Sequence, residues 1–367
     1  MNILLVAPEV CPPWTEGRKK FVRDLAGELG RRDSVRLLST RVAPEPLNLD
    51  IAHDSIHCRR KPCHLLAVLG RLRGVVREQR IDLICHFPYG TFRRHYGVAN
   101  RWCMGLVDAL CRRENKPCIT VMYSVDDCVS LAGLAKTVSC LATGPLPGWT
   151  GAIVEPGIDF KAWVGDRAGG SQGRTLLFLA GMWQPNIERV EHVLSARGLG
   201  VLLCAGRRLA AAGFRLIAAS PLFGDQNRRR HVSTHPGNQW PRGTMELRAV
   251  VPVPDIYRQA DMFVFPYQRE IRHFVPTSIV EAMATRTPVA MSDLALLRGL
   301  ANGGLTGYLF KTDDPEALAD TVIGAFRDDE RRRTVAKQAQ SYAFARWSIE
   351  RSAQQVRDIA ERLLAAG

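Results

Sequence analysis

The stretch DMFVFPYQREIRHFVPTSIVEAMATRTPVAMSD, residues 261–293, places a strand, a loop and a helix in succession. Its first part, DMFVFPY (261–267), is a short apolar run that predicts a buried strand ending at Pro266. In an open α/β sheet, ligands bind beyond the carboxyl ends of the strands. The loop that follows, QREIRHFV (268–275), is therefore expected to lie at the edge of a binding site.

The helix after this loop begins with features that favour an anion. Ser278 and Glu281 have the spacing of a capping box, which predicts that the Ser278 side chain caps the helix. The free backbone N–H groups and the dipole of a helix N-terminus attract phosphate. Arg269, Arg272 and His273 add cationic or hydrogen-bond-donating side chains just upstream. On this pattern alone, an ordinary capped helix beside a solvated basic loop is the alternative.

Apolar runs and amphipathic segments alternate through the rest of the chain. Continuous apolar runs separated by helices predict parallel sheets that are covered on both faces. The predicted strands include NILLVAP (2–8), IDLICHF (81–87), TLLFLAG (175–181) and GVLLCAG (200–206). The fold class is therefore α/β.

A segment rich in Gly, Ser and charge, VGDRAGGSQGR (164–174), interrupts the alternation and predicts a linker. It divides the chain into two predicted doubly wound, Rossmann-like domains, residues 1–163 and 164–347. The cleft between two such domains is the default position for a ligand.

The composition indicates a globular protein with anionic partners. The 367 residues are 46% hydrophobic and carry a formal net charge of +14, which favours nucleic acid, acidic lipid or phosphorylated substrates. None of the ten cysteines forms a C-x-x-C pair, and the start MNILLVAPEV lacks the basic segment of a signal peptide. We therefore expect reduced thiols and a cytoplasmic location.

The order of the motifs resembles the second domain of family 4 glycosyltransferases, which have the GT-B fold. The matching elements are FVFPY (263–267), EAMA (281–284), TRTPVAMSD (285–293), GYLF (307–310) and DDPEALADTV (313–322). In the first half, residues 3–29 resemble the first strand, glycine loop and helix of that family, and residues 153–163 resemble the segment before its linker. The tail, residues 348–367, resembles the final helix, which packs back onto the first domain.

This resemblance implies a function. The first domain would bind an acceptor and the second a nucleoside-diphosphate sugar, with the two domains facing each other across a cleft. The reaction would be a retaining, metal-independent transfer of the sugar to an acceptor hydroxyl on a glycan, a lipid-linked molecule or a small natural product. The donor is a substrate, so no cofactor is expected.

The resemblance also assigns residues in the second domain. Glu281 would bind the ribose of the donor, because a carboxylate accepts two hydrogen bonds from a vicinal diol. His273 stands where the family has the glutamate that contacts the sugar, and Arg272 would add positive charge. The diphosphate would lie over the backbone at Phe274, Val275, Thr277 and Ser278.

A second departure from the family follows the strand TLLFLAG. Gly181 ends this strand at the expected donor site, but Met182 stands where the family has an arginine that neutralises the leaving diphosphate. That charge needs compensation. Arg269, Arg272 and the helix N-terminus are the available substitutes.

In the first domain, two residues have both a functional and a structural interpretation. Gly17 would let the backbone approach a phosphate or the acceptor, or it is a turn glycine. Asp126 would bind acceptor hydroxyls, or it caps a helix. His86, at the end of IDLICHF, is open between a structural and a functional role.

Other functions stay open at this point. A non-catalytic GT-B partner subunit would explain Met182 and His273, and a sugar-nucleotide epimerase is a further alternative. The basic helix 64–80 suits either peripheral contact with an anionic membrane, on the inner face, or packing as a surface helix. No nucleic-acid partner is expected, because the sequence has no recognised nucleic-acid-binding module and no stretch in which aromatic and basic residues interleave.

Overall fold

The computed structural model describes most of the chain. The described residues are 1–7, 10, 17–41, 51–57, 61–88, 97–122, 140–141, 149, 151–164, 173–180, 190–249, 253–269 and 275–365. The chain divides into two compact units: Met1–Asp159 with Arg346–Gly367 (unit 1), and Phe160–Ala345 (unit 2). The predicted domain boundary follows residue 163. The binding roles assigned to the two domains stay predictions.

Thirteen strands are present among the described residues. They are β1 (Asn2–Ala7), β2 (Ser34–Arg41), β3 (Ala52–His57), β4 (Leu83–His86), β5 (Cys118–Met122), β6 (Cys140–Leu141), β7 (Ala152–Ile153), β8 (Thr175–Leu179), β9 (Arg215–Ala219), β10 (Met245–Arg248), β11 (Met262–Phe265), β12 (Val289–Ser292) and β13 (Tyr308–Phe310).

The α-helices of the described residues separate these strands. They are α1 (Gly17–Leu29), α2 (Lys61–Glu78), α3 (Gly97–Arg113), α4 (Phe160–Trp163), α5 (Val190–Leu194), α6 (Leu199–Cys204), α7 (Gly206–Ala211), α8 (Gln226–Ser233), α9 (Val253–Arg258), α10 (Thr277–Ala284), α11 (Ala295–Ala301), α12 (Pro315–Ala325), α13 (Asp329–Trp347) and α14 (Ile349–Ala365). Short 3₁₀ helices occur at Pro221–Gly224 and Asn302–Gly304.

Unit 1 is a parallel sheet in the order β3-β2-β1-β4-β5-β6-β7. Strand β1 is apolar throughout its buried length and lies at the centre, where side chains on both faces are covered. One face packs against α1 and α14, and the other packs against α2 and α3. The strand order reverses direction between β1 and β4, which is the topological switch point of a doubly wound sheet.

Helix α14 closes one side of unit 1. Its strongly amphipathic sequence buries Ile349, Ala353 and Val356 in the core that α1 also enters. At the edge of this contact, Arg357 Nε donates to Asp33 Oδ2 over 2.9 Å. The two ends of the chain therefore share one hydrophobic core.

Unit 2 repeats the design, with the parallel order β10-β9-β8-β11-β12-β13. Strands β8 and β11 pair in the centre, with Met262 opposite Leu176 and Phe263 opposite Leu177. The order reverses between these two strands, so the carboxyl ends of β8 and β11 border the switch point.

The strand prediction for GVLLCAG (200–206) is wrong, because these residues lie in α6 and α7. A short buried apolar run has no periodicity that separates a strand from a helix. The run is rich in leucine and contains Val201 as its only β-branched residue, so its propensity favours a helix. Gly198, at φ 74°, precedes the helix and turns the chain into it.

Candidate functional site

The switch point of unit 2 is built by the segments that follow β8 and β11. β8 ends at Leu179 and β11 ends at Phe265, and these two strands are neighbours in the sheet. Gly181 and Met182, which follow β8, lie outside the described residues. The chain beyond β11 is described up to Arg269 and again from Val275.

Helix α10 begins at Thr277, and its N-cap residue is Pro276. The predicted capping box is therefore wrong in its register. Ser278 is the second residue of the helix, and the cap makes no side-chain hydrogen bond because proline has no acceptor there. The Pro276 carbonyl accepts the amides of Ile279 (3.0 Å) and Val280 (3.4 Å).

The proline cap leaves donors at the start of α10. The first amides of a helix have no intrahelical carbonyl to bind, and here no capping side chain replaces one. Thr277 and Ser278, the first two residues of the helix, are half-buried. This terminus can hold an anion.

Glu281 lies in the second turn of the same helix and is 2% exposed. The hydroxyl of Tyr257, in α9, lies 3.3 Å from Glu281 Oε2 and 2.8 Å from the carbonyl oxygen of Ser278. Burial, together with the charge and hydrogen bond of Glu281, raises the pKa of Tyr257 well above its usual value. The phenol is therefore protonated, and its single hydrogen is shared between these two oxygens.

Aromatic packing fixes the position of Tyr257. Its ring makes edge-to-face contacts with Trp163, at a centroid distance of 6.0 Å, and with Phe263, at 5.5 Å. The Thr287 hydroxyl donates to the Tyr257 carbonyl over 3.0 Å. The two aromatic rings thus hold the Tyr257 side chain, and Thr287 holds its backbone.

A second set of contacts fixes the chain where it leaves β11. Tyr267 stacks on Phe265 at a centroid distance of 4.2 Å, and the Arg197 guanidinium lies 5.7 Å from the Tyr267 ring centroid. The Gln268 amide donates to the Ala196 carbonyl over 3.0 Å. Sequence reasoning missed Arg197, a cation beside this edge, because it lies far away in the chain.

The side chain of Gln268 adds a polar group at this edge. Its Nε2 donates to the Pro266 carbonyl over 2.7 Å, which fixes the orientation of the amide. Its Oε1 is buried and has no hydrogen-bond partner. A buried acceptor without a partner fits a hydrogen-bond donor on a ligand.

The structure describes four of the predicted donor-site residues, and five predicted site residues, four for the donor and one for the acceptor, lie outside its described part. Val275, Thr277, Ser278 and Glu281 lie at the start of α10 or just before it. The residues outside the described part are Asp126, Gly181, Arg272, His273 and Phe274. Arg269 is exposed directly after this edge of the sheet.

In unit 1, two of the singled-out residues also flank the switch point. Gly17 is the first residue of α1, and His86 is the last residue of β4. His86 is 2% exposed, and burial lowers its pKa to about 4. Its Nδ1 has no hydrogen-bond partner. His86 is therefore a neutral imidazole at neutral pH.

The basic face of α2 is partly neutralised by ion pairs. Arg71 lies 3.9 Å from Asp54, and Arg73 and Arg77 lie 3.5 and 2.8 Å from Glu114. Asp54 also pairs with Arg36, at 2.8 Å, so these three arginines of α2 and Arg36 share two carboxylates, and the charge of this face is only partly neutralised.

The described part of the chain contains neither a cluster of metal ligands nor a membrane-spanning helix. No three His, Cys, Asp or Glu side chains come together there as metal ligands. No helix among these residues has the length and apolar character needed to span a bilayer. The expectation of a metal-independent reaction stays a prediction.

Sequence comparison finds a family model and partial relatives of this chain. Residues 173–328 match the family model described as Glycosyl transferases group 1. The lipopolysaccharide core biosynthesis mannosyltransferase LpsB of Rhizobium meliloti is 35% identical over 116 residues, which cover 30% of this chain and 32% of LpsB. The D-inositol 3-phosphate glycosyltransferase of Corynebacterium urealyticum is 35% identical over 101 residues, which cover 28% of this chain and 23% of that relative. The match thus spans less than two thirds of either relative.

Structural comparison covers the whole chain. A glycosyltransferase from Rickettsia africae superimposes with a TM-score of 0.73 at 14% identity, over 100% of this chain and 99% of that one. Anabaena HepE in complex with UDP-glucose superimposes with a TM-score of 0.66 at 15% identity, over 99% of each chain. The predicted α/β, GT-B fold class is confirmed. The chain therefore has the fold of solved glycosyltransferases, and its residues 173–328 match the Glycosyl transferases group 1 family.

Proposed function

We propose that this protein is a glycosyltransferase that moves a sugar from a nucleoside-diphosphate sugar to an acceptor hydroxyl. One observation carries the proposal. Within the segment that matches the family model, a proline-capped helix presents open amides and, one turn later, a buried carboxylate. The fold neighbour HepE has been solved with UDP-glucose, which is a ligand of the proposed class.

The proposed donor site uses both ends of this arrangement. The diphosphate lies over the backbone N–H groups of Phe274, Val275, Thr277 and Ser278, where the helix dipole and the hydroxyls of Thr277 and Ser278 stabilise negative charge. The carboxylate of Glu281 accepts hydrogen bonds from the ribose hydroxyls. Gly181, two positions after the last residue of β8, is proposed to let the backbone come close to the donor.

In the proposed reaction, the bond between the anomeric carbon and the diphosphate oxygen breaks. The acceptor oxygen bonds to the same carbon with retention of configuration, and the acceptor's hydroxyl proton passes to the released diphosphate. Negative charge builds up on the leaving diphosphate, so fixed donors and cations lower the barrier. Arg272 and the N-terminus of α10 supply that charge without a metal ion, and His273 contacts the transferred sugar.

The acceptor is proposed to bind unit 1, where Gly17 and Asp126 would contact it. LpsB, by its name, acts in lipopolysaccharide core biosynthesis, which supports a glycan or lipid-linked acceptor in a cytoplasmic reaction near a membrane. Peripheral binding to an anionic membrane through α2 would rely on the positive charge of its arginines that Asp54 and Glu114 do not neutralise.

A second candidate is a partner subunit that binds nucleotide without turnover. Met182 and His273 favour it, because the resemblance places an arginine and a glutamate at those positions. An epimerase is distinguished by its product, a free isomer of the sugar nucleotide, instead of a glycosylated acceptor.

Nucleotide binding tests the donor site first. Thermal unfolding is measured with UDP, GDP, ADP, CDP and dTDP sugars, and a ligand at 100 times its Kd stabilises the folded state by about 2.7 kcal/mol. We expect Glu281→Ala to raise the Kd for the stabilising nucleotide sugar at least tenfold. Glu316→Ala, which removes an exposed carboxylate on α12, serves as the control.

The outcomes separate the candidates. No stabilisation by any of these nucleotides would refute the donor site, and full affinity in Glu281→Ala would refute the ribose assignment. Binding without glycosyl transfer to any of a panel of acceptors would favour the partner subunit.

A further inference from the structure

The Tyr257 hydroxyl is a buried polar group to which neither the motifs nor the relatives assign a role. Tyr257 is fully buried, and its oxygen lies between two parts of α10: the Ser278 carbonyl at 2.8 Å and Glu281 Oε2 at 3.3 Å. A hydroxyl that served only to fill space would be costly here, because burying it without a partner is unfavourable.

We propose that Tyr257 is a positioning residue, whose hydroxyl holds the Glu281 carboxylate in the orientation that binds the ribose of the donor. This inference rests on the proposed function, because it needs Glu281 to be the ribose ligand. Tyr257 itself does not touch the donor in this proposal.

The packing of the ring separates the role of the hydroxyl from that of the side chain. The edge-to-face contacts with Trp163 and Phe263 involve only the ring, so a phenylalanine would keep them. What phenylalanine would lose is the donor that faces Glu281 and Ser278. The tyrosine is therefore explained by the oxygens that it contacts rather than by the core that it fills.

The elements that carry these groups support the same role. Tyr257 belongs to α9, whereas Ser278 and Glu281 belong to α10, so the hydroxyl links two helices. The Thr287 hydroxyl holds the backbone of Tyr257 from the loop that follows α10. A carboxylate that must meet a diol in one geometry benefits from such support, because less rotamer freedom is lost on binding.

The chemistry predicts the direction and size of the effect. A hydrogen bond to a charged group contributes on the order of tenfold to a hundredfold in an equilibrium. Since the 3.3 Å contact is long, we expect Tyr257→Phe to weaken nucleotide binding about tenfold. The ribose contact is made equally in the ground state and the transition state, so KM should rise while kcat stays nearly constant.

A double-mutant cycle tests this inference. Calorimetry measures the affinity of the wild type, Tyr257→Phe, Glu281→Gln and the double variant for UDP, GDP, ADP and CDP. Tyr308→Phe is the matched control. It also removes a buried tyrosine hydroxyl from unit 2, but the Tyr308 hydroxyl, unlike that of Tyr257, has no hydrogen-bond partner. We expect Tyr257→Phe to have no further effect once Glu281 is changed, and Tyr308→Phe to bind as the wild type.

A second measurement separates positioning from general destabilisation. The wild type should prefer UDP over 2′-deoxy-UDP, and Tyr257→Phe should reduce this preference, whereas a loss of stability alone lowers both affinities together. If another nucleotide binds best, the same comparison uses its 2′-deoxy form.

Each failure has its own signature. If no nucleotide binds the wild type, the proposed donor site fails and this inference fails with it. If Glu281→Gln binds normally, the ribose assignment of Glu281 fails, and the positioning role fails with that assignment. If Glu281→Gln weakens binding while Tyr257→Phe does not, or if the two effects multiply independently, the positioning role alone is overturned.

Discussion

Replacing Gly198 by alanine should destabilise unit 2 far more than the usual cost of a left-handed residue. Gly198 has φ 74°, a conformation that costs an L-residue about 1–2 kcal/mol. An added Cβ would also overlap the Pro266 carbonyl oxygen, and it would lie 2.6 Å from the carbonyl carbon and 2.9 Å from Gln268 Nε2. The obstruction is mainly backbone, so a change of rotamer cannot relieve it.

The backbone around Pro266 has little room to move. Pro266 directly follows β11, and the Gln268 amide is bonded to the Ala196 carbonyl on the same turn as Gly198. Overpacking of this kind costs about 1–3 kcal/mol. With the conformational cost, the loss for Gly198→Ala comes to about 2–5 kcal/mol, and the upper part of this range is expected because backbone must shift.

Gly213→Ala is the matched control. Gly213 has φ 84° in the same unit, but the nearest atom to its added Cβ is the flexible Arg174 Cδ at 3.8 Å. Only the conformational cost of about 1–2 kcal/mol is expected there. Urea unfolding of both variants gives the difference, and equal losses at the two glycines would refute the steric argument.

Two further perturbations act on unit 1. Burial lowers the pKa of His86 to about 4, so below pH 6.5 the unfolded chain binds a proton that the folded chain does not. The free energy of unfolding should therefore fall by about 3 kcal/mol between pH 7 and pH 4 because of this residue. His86→Gln should lose that part of the pH dependence in urea unfolding, and an unchanged slope would contradict it. Arg357 lies 2.9 Å from Asp33, and the two side chains are 10% and 8% exposed. Arg357→Met should therefore lower the free energy of unfolding by about 3 kcal/mol, the lower end for a buried pair. The lower end is expected because the Met1 amine still binds Asp33. The exposed Arg31→Met should cost less than about 1 kcal/mol in the same assay, and an equal cost would show that burial of the pair is irrelevant.

The strands at the centre of both sheets could be predicted because their apolar runs are continuous. NILLVAP and DMFVFPY need cover on both faces, and only a doubly wound sheet supplies it. The edge strand β3, with the sequence AHDSIH, has no such run and was not predicted. GVLLCAG folds as helix instead of strand, because an apolar run that is buried on all sides fits a helix as well as a strand.

The order of the elements around the proposed donor site was predicted, but the contacts between them were not. The order strand, loop and helix located Glu281 and the start of α10. The spacing of Ser278 and Glu281 suggested a capping box, but Pro276 takes the cap position. The contact between Tyr257 and Glu281 joins residues 24 positions apart on two helices, and the Gly198 contact joins two loops. No local pattern encodes either contact.

Helix α14 has a consequence for the order in which the chain folds. Arg357 bonds Asp33 across 324 positions, so the core of unit 1 needs both the first and the last part of the chain. During synthesis at about 5–20 residues per second, the α1 side of this core would wait for about 10–40 seconds while unit 2 is made. Every residue of unit 2 is available before α14 emerges. Unit 2 can therefore complete its own core before unit 1 does, and the early part of unit 1 stays without its last helix until α14 is made.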